Sequence, residues 1–295
     1  MSGPYYTGCA VWAFKPWVGG FYPSGSQSKD FLQHYCDRLT AVEGNTTFYA
    51  LPGADTVGRW AAVMPNDFRF CPKLPKFFSH QGPLLPRLPA AIAFAESLLP
   101  LGQRLGPIMV QLPPSYGPTR ARDLTQFLNG WPRHHWPLAV EVRHSDWFKP
   151  SQAQHLNQLL QTLGVGRVLL DTRPVYETPG AADPQMGSER RKPRLPLHPV
   201  ITAPFTIVRY IGHPHLPSNR PYWEAWIPRL RHWLDQGREV YFFAHCPEEI
   251  NSPDMARQVY HQLQQTGANL PPLKWDQLAA SRKELTDQPQ QLSLL

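Results

Sequence analysis

Cysteine is scarce, and Cys9, Cys36, Cys71 and Cys246 stand far apart with no CxxC pair. That spacing argues against a zinc ribbon or a disulfide framework and leaves reduced, buried thiols as the simpler account. No run approaches the ~20 apolar residues that a membrane span needs. The opening MSGPYYTGCAVWAF lacks the basic flank and apolar stretch of a secretory signal. The expectation is therefore a cytoplasmic chain with no membrane partner. Charged residues are few, 17%, but hydrophobic residues reach 42%, which suits a folded chain better than a disordered one.

Proline, by contrast, is abundant. Its 34 residues are more than double the usual share of about 5%. Most punctuate apolar segments and read as rigid loops around a packed core. The net charge of +7 favours anionic partners, with nucleic acid or phosphorylated metabolites as candidates. The same charge also suits an ordinary basic protein.

Strand-like runs recur at 5–12, 38–45, 67–73, 106–112, 137–143, 165–171, 205–212 and 238–245. Several are almost continuously apolar, as parallel strands covered on both faces should be. Helical stripes lie between most of them: Val57, Trp60, Ala61 and Met64 behind an Asp55 N-cap; Leu156, Leu159, Leu160 and Leu163 before Gly164; Trp226, Ile227, Leu230 and Leu234 before Gly237; and Val259 and Leu263 between Ser252-Pro253 and Gly267. Eight such units predict an α/β chain folded as a single (β/α)8 TIM-type barrel over residues 1–280, with a flexible tail over 281–295. A doubly wound open sheet is the alternative, but no glycine-rich phosphate loop follows the first strand. One unit departs from the pattern. The proline-rich stretch 172–204 carries no helical stripe and includes the basic RRKPR at 190–194, so it reads as a long loop, either functional or disordered.

Two strands end alike, in AVEGN (41–45) and AVEVR (139–143). Side chains alternate across a strand, so Ala41, Glu43 and Asn45 share one face, and Ala139, Glu141 and Arg143 share another. If the valines pack outward on helices, both glutamates point into the C-terminal mouth, where barrel enzymes carry their active sites. Lys73, Gln111, Asp171, Arg209 and His245 end the remaining strands from the third to the eighth. Any single pair among these could be an ion pair that only satisfies itself. A whole ring of polar tips is costly for a fold seeking stability alone and points to a site. Trp12, Tyr49 and Trp147 follow strand ends as potential stacking walls, and His144 lies beside them.

The segments VEGNTTFYALP (42–52), FRFCPKLPKFFSH (68–80), QLPPSY (111–116), EVRHSDWF (141–148), RYIGH (209–213) and VYFFAH (240–245) resemble, in order, the signatures of the YecE-like family, domain of unknown function 72. The resemblance runs from about Gly8 to Leu263 and implies a TIM-type barrel, but it implies no reaction. The chain departs from the family pattern at Gly44, where an apolar residue is usual, and at Ala244-His245, where asparagines are more frequent.

Two chemistries fit the ring. In a metal-assisted hydrolase, Glu43, Glu141, Asp171, His144 and His245 would be ligands of a divalent ion, although the neighbouring cations oppose it. In a metal-free acid–base site, Glu43 and Glu141 would act as acid and base, one carboxyl pushed upward by the other, while Lys73, Arg143 and Arg209 grip an anion. A non-catalytic anion- or nucleic-acid-binding barrel is the reading from another class. The last five residues, QLSLL, resemble a bacterial motif that binds the DNA sliding clamp. They would anchor through the Gln291 amide and bury Leu292, Leu294 and Leu295.

Overall fold

A computed structural model describes residues 2–178 and 193–278. The eight strands fall inside the eight expected segments, each shorter than its segment. They are β1 (Tyr5–Cys9), β2 (Ala41–Gly44), β3 (Arg69–Pro72), β4 (Ile108–Gln111), β5 (Leu138–Glu141), β6 (Gly166–Asp171), β7 (Phe205–Ile211) and β8 (Glu239–His245). All their pairings are parallel.

The ladder is not one closed ring. Six strands form a curled parallel sheet in the order β1-β8-β7-β6-β5-β4, and β2 and β3 pair separately. At the β1–β2 seam, the Thr7 N–H donates to the Thr40 hydroxyl rather than to a strand carbonyl, and the Thr40 N–H donates to the Thr7 carbonyl at 3.1 Å. The backbones touch there, since a Cβ on Gly8 would lie 1.8 Å from the Ala41 carbonyl oxygen. At the β3–β4 seam only the single bridges Phe70 to Leu105 and Lys73 to Met109 join the edges.

The helical stripes fold as their spacing requires. The helix Pro150–Leu163 buries Leu156 and Leu160 and stops at Gly164, whose φ of 64° lies in the left-handed region that glycine favours. The helix Arg220–Asp235 buries Trp226, Ile227, Leu230 and Leu234, and Ser252–Gln265 buries Val259 and Leu263. The helix Ala54–Val63 corrects one expectation: Gly53 occupies its N-cap, and Asp55 lies in the first turn without capping. There the carboxylate still suits the positive end of the helix dipole. Among the described residues between β6 and β7 the only helix is the short Arg173–Tyr176, and residues 193–204 adopt neither helix nor strand. Residues 179–192, with most of the basic RRKPR run, and the tail from 279 onward, with Gln291, Leu292, Leu294 and Leu295, lie outside the described residues.

The apolar core has an inner and an outer layer. Ala41, Cys71, Met109, Ala139, Val168, Ile207, Tyr241 and Phe243 from seven strands pack against one another in the interior. Val42, Phe70, Val110, Val140, Leu169, Val208 and Phe242, their neighbours on the opposite face, pack outward with the helices. Among the described residues no helix is long and apolar enough to cross a membrane.

Candidate functional site

The interior layer sets the position of the site. Two residues beyond Ala41, Cys71, Met109, Ala139, Ile207 and Phe243, on the same strand face, come Glu43, Lys73, Gln111, Glu141, Arg209 and His245. All six are buried. The polar layer therefore caps the apolar one at the C-terminal end of the parallel strands.

Arg209 is the hub. Its Nε and Nη2 donate to Glu43 Oε2 and Oε1 at 2.7 and 2.9 Å, and its Nη1 donates to Glu141 Oε2 at 2.6 Å. Glu43 also accepts from Lys73 Nζ at 2.7 Å and meets His245 Nε2 at 3.0 Å. Glu141 accepts from Arg143 Nε at 2.6 Å. Gln111 Oε1 takes Lys73 Nζ at 3.2 Å and Arg143 Nη2 at 2.8 Å, tying the two halves together. Glu43 and Glu141 thus converge through one guanidinium, as the sequence pattern requires.

Electrostatics corrects the expected acid–base pair. Burial alone would push the Glu43 carboxyl up, but Arg209, Lys73 and His245 together hold it well below the usual carboxylate range. Burial opposes Arg143, Arg209 and Lys73 at Glu141 in the same way, and the cations pull that carboxyl down to about 2. Neither glutamate is poised to donate a proton at neutral pH. The group tuned toward neutrality is Lys73: burial and the Arg209 charge outweigh the two glutamates and bring its amine from 10.5 down to about 8.

Asp171 does not join the network. On β6 the inward position of this layer belongs to Leu170, so Asp171 faces outward. There it accepts from Trp226 Nε1 at 2.7 Å and from Arg173 Nε and Nη2 at 2.9 and 2.8 Å. His144 caps the turn Ser145–Phe148, its Nδ1 accepting the Asp146 N–H at 3.1 Å. Asn45 donates to the Ala10 carbonyl at 2.8 Å and links the loops after β1 and β2. Trp12 packs edge-on against Trp60 and Phe70 in the outer core, and Trp147 is buried with its indole N–H on the Tyr116 carbonyl. Tyr49 alone of the proposed walls is open, 72% exposed.

The metal-ligand set is therefore not assembled. Asp171 and His144 are held elsewhere, and both oxygens of each glutamate already face nitrogen donors. Among the described residues no three His, Cys, Asp or Glu side chains are grouped to hold an ion.

Two neighbours of the network escaped the strand-by-strand reading because they lie off the strands, Phe48 in the short helix Thr46–Tyr49 and His80 at the C-cap of the short helix Lys76–Ser79. Phe48 lies edge-on to His80 at 5.2 Å and to Tyr49 at 5.2 Å, with Lys73 Nζ 5.9 Å from its ring. The His80 imidazole is pulled down by burial and by Arg143, Lys76 and Lys73, against Glu141. Their signal was position: both follow the C-terminal ends of strands that carry network residues. The pair His213 and His215 was also passed over. Asn219 Oδ1 accepts the His213 N–H, and His215 meets Ser218 Oγ at 3.0 Å.

The pattern of the family described as "Protein of unknown function DUF72" matches residues 6–278. The chain belongs to this DUF72 family. It is 34% identical over 262 residues to the UPF0759 protein YecE of Escherichia coli K12, covering 88% of this chain and 93% of that one. A DUF72 family protein from Enterococcus faecalis superposes with a TM-score of 0.66 at 20% identity, covering 90% of this chain and 96% of the other. One from Thermotoga maritima superposes at 0.65 and 19%, covering 89% and 98%. The DUF72 structures share the fold. Glycine at position 44 has a local cause: a Cβ there would lie 2.5 Å from the Phe70 ring. Phe70 occupies the space that an apolar side chain at position 44 would need.

Proposed function

We propose that the mouth is the anion site of a hydrolase-like enzyme acting on a phosphate-bearing substrate. The observation that carries this reading is an imbalance. Three cations, Lys73, Arg143 and Arg209, meet two carboxylates in one connected network, so the layer holds net positive charge. Buried positive charge without a full complement of anions attracts an anionic group. Arg143 is the cation best placed to turn toward it, with its side chain 20% exposed against 4% for Arg209. Glu43 and Glu141 stay ionised and hold the cations in place. Lys73, with an amine near 8, is the proton carrier, charged at neutral pH and able to give a proton to a leaving oxygen. We further read the two sheets as one eight-stranded barrel with two loosely zipped seams, because one interior layer runs across both.

The test is a titration with inorganic phosphate and a panel of phosphomonoesters and phosphodiesters, following heat and released phosphate. Arg143→Ala should weaken binding about 10- to 140-fold, in keeping with the ~1.5–3 kcal/mol of a charge-assisted hydrogen bond. Glu43→Gln should abolish any turnover found. If Glu43→Gln keeps or strengthens anion affinity and no ester in the panel is cleaved, the mouth belongs to a binding barrel. Absence of phosphate binding by the wild type rejects the anion reading altogether.

The tail supports a location for such an enzyme. QLSLL (291–295) suits an extended peptide that sets Gln291 on backbone groups and Leu292, Leu294 and Leu295 in apolar pockets of a sliding clamp. Such a tether would raise the local concentration of a weakly binding enzyme at DNA. A peptide of residues 286–295 should bind a bacterial clamp in fluorescence anisotropy. No binding at high micromolar concentration removes DNA association from the proposal.

A further inference from the structure

Away from the mouth, one cation is buried without an anion. Arg167 lies on the outward face of β6, 2% exposed, and pairs with no carboxylate among the described residues. Its Nη1 donates to Asn157 Oδ1 at 2.7 Å, and its guanidinium carbon lies 5.3 Å from the centre of the Phe148 ring. Its Nη2 has no hydrogen-bond partner among the described residues. Asn157 in turn meets His198 Nε2 at 2.9 Å. Phe148, Asn157 and His198 line a single cleft of about 600 Å³ between the helix Pro150–Leu163 and the segment 198–200. Gln154, Gln158 and Gln161 line the same cleft, all from one stripe of that helix.

We propose that this cleft is a second anion site, separate from the mouth, which takes a small polar molecule through one carboxylate or phosphate with Arg167 as the counter-ion. A buried guanidinium with an idle N–H is an expensive arrangement unless an acceptor arrives. Asn157 acts as the cover. A ligand oxyanion that replaces Asn157 Oδ1 engages Nη1 and Nη2 together, in the bidentate geometry that guanidinium favours. The cleft has the volume of a small-molecule site, and the glutamine amides offer donors and acceptors to the rest of the ligand. His198 provides a reporter. Its imidazole is held down by burial and by the charge of Arg167, and an anion beside Arg167 offsets that charge, so binding should raise the imidazole pKa.

The experiment follows the His198 imidazole by NMR in the full chain, assigned through His198→Gln, during separate titrations with inorganic phosphate and malonate. Two ligands of different charge and shape tell a phosphate site from a carboxylate site. At least one should raise the His198 pKa, and Arg143→Ala at the mouth should leave that response unchanged. Asn157→Asp puts a carboxylate on Arg167, so it should abolish the response and raise the melting temperature. The proposal is overturned if millimolar amounts of both anions leave His198 unmoved, if the response survives Asn157→Asp, or if that variant melts no higher than the wild type. None of these outcomes depends on whether the mouth binds phosphate.

Discussion

Replacing Arg209 with leucine takes the hub out of a buried network. Glu43 is 0% exposed and Glu141 1%, and Arg209 donates to both at 2.6 to 2.9 Å. Removing one partner of a buried ion pair typically costs about 3–5 kcal/mol, because the remaining charge stays in low dielectric. Glu43 keeps Lys73 and His245, and Glu141 keeps Arg143, so we expect about 3 to 4 kcal/mol, the lower part of that range. In a chain of this size that is a fall of roughly 10 °C in melting temperature. The loss should also depend on pH. Both carboxyls are held low in the native protein. Their contribution is therefore complete above the ordinary glutamate value and is lost as the pH falls through the folded value, about 2 for Glu141. In Arg209→Leu, burial is opposed by fewer cations, the carboxyls rise, and protonation relieves the strain sooner. The stability gap to wild type should narrow between about pH 8 and pH 5. Adding Glu141→Gln to Arg209→Leu should recover part of the loss. Urea unfolding at several pH values measures all three effects. A loss below about 1 kcal/mol, or a gap that widens on acidification, would refute the view of Arg209 as the charge that holds both glutamates.

With the Lys73 amine lowered to about 8, the phosphate affinity proposed for the mouth should decline as the pH rises from about 7 to 9. Lys73→Met should flatten that profile, and calorimetry across the range detects it. The same shift has a stability sign. An amine whose folded value is depressed binds fewer protons folded than unfolded, so its contribution grows as the pH rises above about 8. Gly44→Ala forces a Cβ to within 2.5 Å of the Phe70 ring and should cost about 1–3 kcal/mol, much of it relieved by adding Phe70→Leu in a thermal melt. Asp171→Asn weakens its bonds to Trp226 and Arg173. It should destabilise by about 1.5–3 kcal/mol and leave phosphate affinity at the mouth unchanged. A selective loss of binding would return Asp171 to the site.

Some of the site was visible in the bare chain because alternation is a local rule. In AVE at 41–43 and at 139–141, the small residue and the glutamate share a face while the valine takes the other, and only one assignment buries the valines against helices. Asp171 was misplaced by the same reasoning, because GRVLLD is apolar on both faces and hides its parity. Which of Leu170 and Asp171 looks inward depends on Val168 packing inside with Ile207 and Phe205, a contact between strands. Phe48 belongs to the one-turn helix Thr46–Tyr49 and His80 caps the one-turn helix Lys76–Ser79, elements too short for a period to link residue to direction. The glutamates' protonation was likewise beyond local rules, since two carboxylates repel until a guanidinium from β7 enters between them.

The order of strands and helices, the turns at Gly164, Gly237 and Gly267, and the polar tips at the strand ends were determined by the chain alone. Each follows from interactions within a few residues. Tertiary structure alone decided that Arg209 joins Glu43 to Glu141, that Lys73 sits near neutrality, and that Arg167 is buried with no carboxylate beside it among the described residues. Those outcomes depend on charges brought together from up to 166 residues away, and Coulomb energies respond to distance and burial rather than to sequence separation.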